Sequence, residues 1–95
     1  MYINVFYDSP NDCDLIDLSL PNFESVITLQ DNFLKWLYDK NNDHEYWIYR
    51  NNQKFGCAYD STAFVNWINT YYSNYAAQFI EKHIRRNDDY PTIYF

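Results

Sequence analysis

The chain opens on six residues, Tyr2 to Tyr7, in which Ile3, Val5 and Tyr7 alternate with Tyr2, Asn4 and Phe6. A period of two marks a strand, and apolar or aromatic side chains on both faces mark a central one. Asp8-Ser9-Pro10-Asn11-Asp12 ends it with turn-forming residues. From 15 to 27 the pattern wavers: Ile16, Leu18 and Leu20 alternate, Pro21-Asn22 interrupts, and Phe23, Ser25 and Ile27 alternate again. This stretch reads as extended or irregular. Helical spacing then takes over. Thr28 with Asp31 three residues on forms an acidic variant of the capping box. Leu29, Phe33, Trp36, Leu37 and Lys40 follow as a stripe about 100° wide, and Asn41-Asn42 suits a left-handed helix exit.

Two runs, 46–50 and 53–59, flank Asn51-Asn52, a pair that tolerates the positive φ angles of a two-residue hairpin turn. That register sets Arg50 opposite Gln53, Ile48 opposite Phe55, Tyr46 opposite Cys57 and His44 opposite Tyr59 on the more apolar face. Tyr49 faces Lys54 on the other, where Trp47 covers Gly56, the single glycine. Asp60 or Ser61 offers the N-cap of a second helix, with Phe64, Ile68, Tyr71, Tyr72, Tyr75 and Phe79 along one stripe. Carried through to Arg86 with a bend near Ser73-Asn74, it places Lys82, His83, Arg85 and Arg86 at the negative helix end. Residues 91–95 read as a short closing strand with Ile93 and Phe95 on one face. Strand, helix, strand, strand, helix, strand over residues 1–95 predicts one α+β domain. Its expected form is a two-layer sandwich, an antiparallel sheet of about four strands with two helices on one face, in the ferredoxin-like arrangement. A strand within 15–27 would keep the layers and change the topology.

Composition adds a surplus. Of the 95 residues 22% are aromatic: eleven Tyr, seven Phe and three Trp. One small core does not hide all of them, so some Tyr and Trp are expected half exposed, in a partner interface or a homo-oligomer contact. Charge is lopsided as well. Residues 1–45 hold nine acids against Lys35 and Lys40, so the whole net charge of −6 sits in the first half. Nucleic-acid binders carry a basic face, so no direct nucleic-acid contact is expected; a basic partner is. No apolar run approaches the roughly 20 residues of a membrane span. The start, Met1 to Phe6, lacks the basic region and cleavage site of a signal peptide, and the expected location is the cytoplasm.

Several chemistries are missing. A single glycine leaves no phosphate-cradling loop and no nucleophile elbow. His44 and His83 have no second ligand at a familiar spacing. Asp12, Asp14 and Asp17 faintly suggest a calcium loop, but Asp17 and Phe23 stand where that loop needs glycine and glutamate. No metal, cofactor or catalytic residue is expected. Cys13 and Cys57 read as structural thiols, with the acids around Cys13 working against its activation. His44, near Cys57 on one hairpin face, is the nearest approach to a nucleophilic pair.

Element order and length resemble the RNA-recognition motif. Tyr2-Ile3-Asn4-Val5-Phe6-Tyr7 and Lys54-Phe55-Gly56-Cys57-Ala58-Tyr59 stand at its first and third strands, whose aromatics stack bases in that family. The family's glycine after the basic residue is missing, and Cys57 replaces a stacking aromatic, so no RNA-contacting residue is carried over. The resemblance implies a single-stranded nucleic-acid-binding module.

Charge implies a different class. Extended, Asp12 and Asp14 would point the same way about 6.6 Å apart. With Asp8, Asp17 and Glu24 they would offer repeated negative charge to a groove made for phosphates. As a functional class, without a shared motif, this is similar to small acidic inhibitors: phage anti-restriction and anti-CRISPR proteins, and toxin immunity proteins. The expected function is therefore inhibition of a larger basic protein or nucleoprotein complex that handles nucleic acid. Asp8, Asp12, Asp14, Asp17 and Glu24 would steer association, and Tyr38, Trp47 and Tyr49 would anchor it.

Overall fold

The computed structural model describes residues 1–7 and 10–95. Its elements are β1 (Tyr2–Phe6), β2 (Cys13–Asp17), α1 (Phe23–Leu37), β3 (Trp47–Arg50), β4 (Gln53–Cys57), α2 (Ser61–Tyr71), a 3₁₀ turn (Ser73–Tyr75), β5 (Gln78–Ile84) and β6 (Thr92–Tyr94). The two-sided pattern of β1 does place it centrally: the main sheet runs β5-β2-β1-β6. Its pairing with β2 is antiparallel, but its pairing with β6 is parallel. The sheet is therefore mixed where an antiparallel one was expected. The hairpin β3–β4 forms a separate two-stranded sheet. With that hairpin outside the main sheet, the strand order departs from the ferredoxin-like one; the α+β class and the two helices stand.

Core and surface divide along β1. Ile3 lies across from Ile16 and Val5 across from Ile93. All four are buried in one cluster with Val26, Leu29, Phe33 and Leu37 of α1 and Phe64 and Ile68 of α2. Phe33 is its hub, with ring centroids of Phe64, Trp67, Tyr59 and Phe95 at 5.3, 5.4, 5.8 and 5.9 Å. On the other face of β1, Asn4 has no exposed surface. Its carboxamide donates to the carbonyls of Asn87 (2.8 Å) and Tyr90 (3.1 Å) and accepts from the Asn87 N–H (3.1 Å). A buried amide with every group satisfied pins the 87–91 connection across the sheet and delivers β6 to the edge of β1.

Three segments differ from the pattern-based expectation. Cys13–Asp17 is a strand that begins ahead of the 15–27 stretch read as extended or irregular and takes up its first three residues. Helix α1 begins at Phe23, five residues before the Thr28 start, because Asn22 is its N-cap: the Asn22 side chain accepts from the Ser25 N–H at 2.9 Å. Thr28 lies inside the helix and donates to the Glu24 carbonyl at 3.1 Å. The Phe23, Ser25, Ile27 alternation is incidental, and Ile27 is exposed. At the other end Asn41-Asn42 is not left-handed. Side chains cap the helix instead: Asn42 donates to the Trp36 carbonyl at 2.9 Å, and His44 Nε2 lies 2.8 Å from that of Leu37.

The largest correction concerns residues 76–86. Asp60 does cap α2, accepting from the Ala63 N–H at 3.1 Å, but the helix stops at Tyr71. Ala76 turns left-handed at φ 47°. Asn69 then holds the reversal on both sides, accepting from the Ala77 N–H (2.9 Å) and donating to the Ala77 carbonyl (2.8 Å). Chain released from the helix becomes β5, an edge strand beside β2. Lys82 and His83 thus belong to a sheet edge and not to a helix terminus, and Arg85 and Arg86 follow the strand. His83, at φ 54°, sits at the irregular end of that pairing. Charges and an irregular register are how exposed sheet edges avoid further pairing.

Candidate partner-binding surface

Asn51 and Asn52 take φ values of 53° and 61°, so the predicted two-residue turn forms and sets Arg50 opposite Gln53 and Tyr49 opposite Lys54. The register then slips by one residue. Phe55 is an extra residue on β4, so Ile48 faces Gly56 and Trp47 faces Cys57. Trp47 therefore does not cover the glycine, beside which a Cβ would meet open space.

The root of the hairpin is fixed to the end of α1. Trp47 is buried, its indole N–H donates to the Asn42 carbonyl at 2.6 Å, and its ring stacks on His44 at 5.0 Å. Lys54 lies over the Trp47 ring at 5.3 Å and binds the carboxylate of Asp43. That hydrogen bond, then the Lys54 charge, pulls the Asp43 carboxyl below its usual value. Beyond the root, among the described residues, the hairpin strands pair only with each other. Ile48 (45%), Tyr49 (57%) and Phe55 (64%) are exposed there. Ile48 and Arg50 share a strand face, and the Arg50 guanidinium lies 5.1 Å from the Phe55 ring, which puts Phe55 on that face too.

The residues expected to meet a partner are scattered. Asp8 lies outside the described residues. Asp12 and Glu24 are exposed, Glu24 in the first turn of α1. Asp17 is half-buried and pairs with the Met1 amine at 3.0 Å. Asp14 does not point outward with Asp12: it is 2% exposed and accepts from the His83 N–H at 3.1 Å, a local role in the β2–β5 edge. Trp47 is likewise buried, which takes it off the surface. Tyr49 and Tyr38 are exposed, Tyr38 at the C-cap of α1. The hairpin anchor that pattern reading missed is Ile48 with Phe55, which it had turned to the more apolar face.

Neither of the other chemistries assembles. His44 Nε2 and the Cys57 thiol both reach the Leu37 carbonyl, at 2.8 and 3.4 Å, and not each other. Burial pushes both thiols up from the usual value; at Cys13 the charges of Asp14 and Asp12 add to it. Among the described residues no group of three or more His, Cys, Asp or Glu is placed to hold a metal ion, and no helix is long and apolar enough to cross a membrane. The aromatics of β1 and Phe55 of β4, which stand at the base-stacking strands of the RNA-recognition motif, lie in different sheets here, and Tyr59 lies in neither.

No family model, curated protein or solved structure matches this chain.

Proposed function

We propose that this protein is a binding module: a small acidic inhibitor that docks on a larger basic protein whose surface handles nucleic acid. One observation carries the reading, the self-paired hairpin that holds Ile48, Tyr49 and Phe55 in solvent. Apolar side chains gathered on a projecting element gain free energy only when something covers them, and on small proteins such patches mark contact sites. A net charge of −6 supports a basic partner by steering its approach, and disfavours a phosphate backbone. Asp12 and Glu24 contribute to that field from the surface. In this division of labour the hairpin sets how long the complex lasts, and the acids set how fast it forms.

Co-purification from a lysate of the source cells, followed by measured association and dissociation rates, tests it. Ile48→Ser/Phe55→Ser should keep the fold and raise the dissociation rate at least tenfold. Asp12→Lys/Glu24→Lys should slow association and flatten its salt dependence. A hairpin double variant that recovers the same partner at wild-type rates contradicts the reading.

A further inference from the structure

Where the hairpin joins the body, a pocket of about 280 Å³ opens between the end of α1, the 44–46 segment and α2. Its walls are rings. Trp36 lies 4.6 Å from His44, 5.9 Å from Tyr71 and 6.4 Å from Trp67, measured between centroids, and Tyr46 stands 5.5 Å from His44. Trp67 is buried and Tyr71 is 57% exposed, so the two form a floor and an outer wall. Glu45 and Asn66 line the pocket with them. Among the described residues neither lysine nor arginine lines it. Both His44 ring nitrogens are already engaged, Nδ1 accepting from the Tyr46 N–H at 3.2 Å and Nε2 facing the Leu37 carbonyl at 2.8 Å. The Lys54 ammonium, at the hairpin root, is turned to Asp43 and the Lys40 carbonyl.

We infer that this pocket takes a single guanidinium side chain, an arginine of the basic partner. This rests on the binding reading above and names what that partner must present. Several electron-rich faces around one space, with a carboxylate among them, attract a weakly hydrated cation. The acceptors choose among cations. Glu45 can take paired N–H donors from a planar guanidinium, whereas a quaternary ammonium has none to offer. Size agrees: the volume falls just under the range of about 300–1,000 Å³ typical of drug-sized ligands, which suits one side chain. His44 touches both the Trp36 wall and the Trp47 root, so an arginine seated here lies beside the hairpin contact.

Titration of the isotope-labelled protein with N-acetyl-arginine amide, followed on the three tryptophan indole N–H signals, reads the pocket without any partner. Trp36 and Trp67 should shift along a saturable curve, while Trp47, hydrogen-bonded outside the pocket, moves least. Tyr71→Ala and Glu45→Gln should each weaken binding about three- to fivefold, the size of a partly exposed cation–ring contact. The citrulline analogue, equal in shape and uncharged, should leave the signals in place. An equal response to citrulline overturns the assignment, as does saturation by tetramethylammonium with none by arginine, or no response to arginine at all. The partner measurement separates the two claims. A partner lost by the hairpin double variant but held undiminished by Tyr71→Ala overturns the pocket alone; a partner held by both overturns the hairpin as well.

Discussion

Tyr59 stands edge-on to Phe33 and to Phe95, at 5.8 and 5.7 Å, and Tyr46 closes one wall of the ring-lined pocket. Burial raises both phenols above their usual value of 10.0, with Tyr38 adding to the rise at Tyr59 and Glu45 adding to it at Tyr46. A group whose pKa rises on folding lends stability that is complete below its unfolded value and is lost as pH climbs through the folded one. These two tyrosines should therefore leave stability flat up to about pH 10 and erode it above. Denaturant midpoints compared at neutral and alkaline pH, beside tyrosinate absorbance, check this; in Tyr46→Phe/Tyr59→Phe the alkaline loss should shrink. The residue scale is also where pattern reading is weakest. The pattern puts both Asp14 and Trp47 on the contact surface, yet one is folded into the β2–β5 edge and the other into the hairpin root. No periodicity records a hydrogen bond to residue 83 or a stacking contact with residue 44. Asn4 was visible as one polar residue in an apolar strand, but not as the group that holds the distant 87–91 segment.

Elements were legible in proportion to how locally they are decided. The hairpin turn depends on two adjacent asparagines and was readable; its bulge depends on packing at the root, and so the register was right only next to the turn. The N-cap of α2 was readable because Asp60 acts three residues away, on Ala63. That of α1 was hidden because Pro21-Asn22 breaks one alternation while a second, false one runs on into the helix. The span 76–86 failed for a different reason. Tyr72 and Tyr75 stay in phase through the 3₁₀ turn, stacked at 5.7 Å, so the stripe outlives the helix. What ends it is Asn69, whose carboxamide meets both polar groups of the Ala77 backbone. Loss of either cap should cost about 1 kcal/mol. Asn22→Ala and Asp60→Ala are accordingly expected to lower the urea midpoint with the slope unchanged. Asn69→Ala should cost more, because it leaves a buried backbone N–H and a carbonyl without partners. A change no larger than that of the caps would show that the reversal is held elsewhere.

At the scale of the molecule, charge and aromatic surplus separate. Most rings belong to a core built around Phe33 or to the pocket beside it, while the exposed apolar residues of the hairpin gather on an element that contributes little to that core. The excess of aromatics was plain in the composition; where the excess is displayed was not, because the hairpin had been assigned to the main sheet. The acidic half spreads over several surfaces instead of forming one cluster, with Asp14 withdrawn and Asp17 paired to the Met1 amine. Negative charge then acts as a field around the protein more than as a patch fitted to one groove. The hairpin is left as the place where contact would be made, and its claim is open to a direct comparison. Phe55 on the hairpin and Tyr94 on β6 are equally accessible, at 64% and 62%. A photo-crosslinking phenylalanine analogue placed at either position, in protein incubated with a lysate of its source cells, should give one discrete adduct from position 55 and none from position 94. The same adduct from 94 with none from 55 would contradict the hairpin as the docking surface.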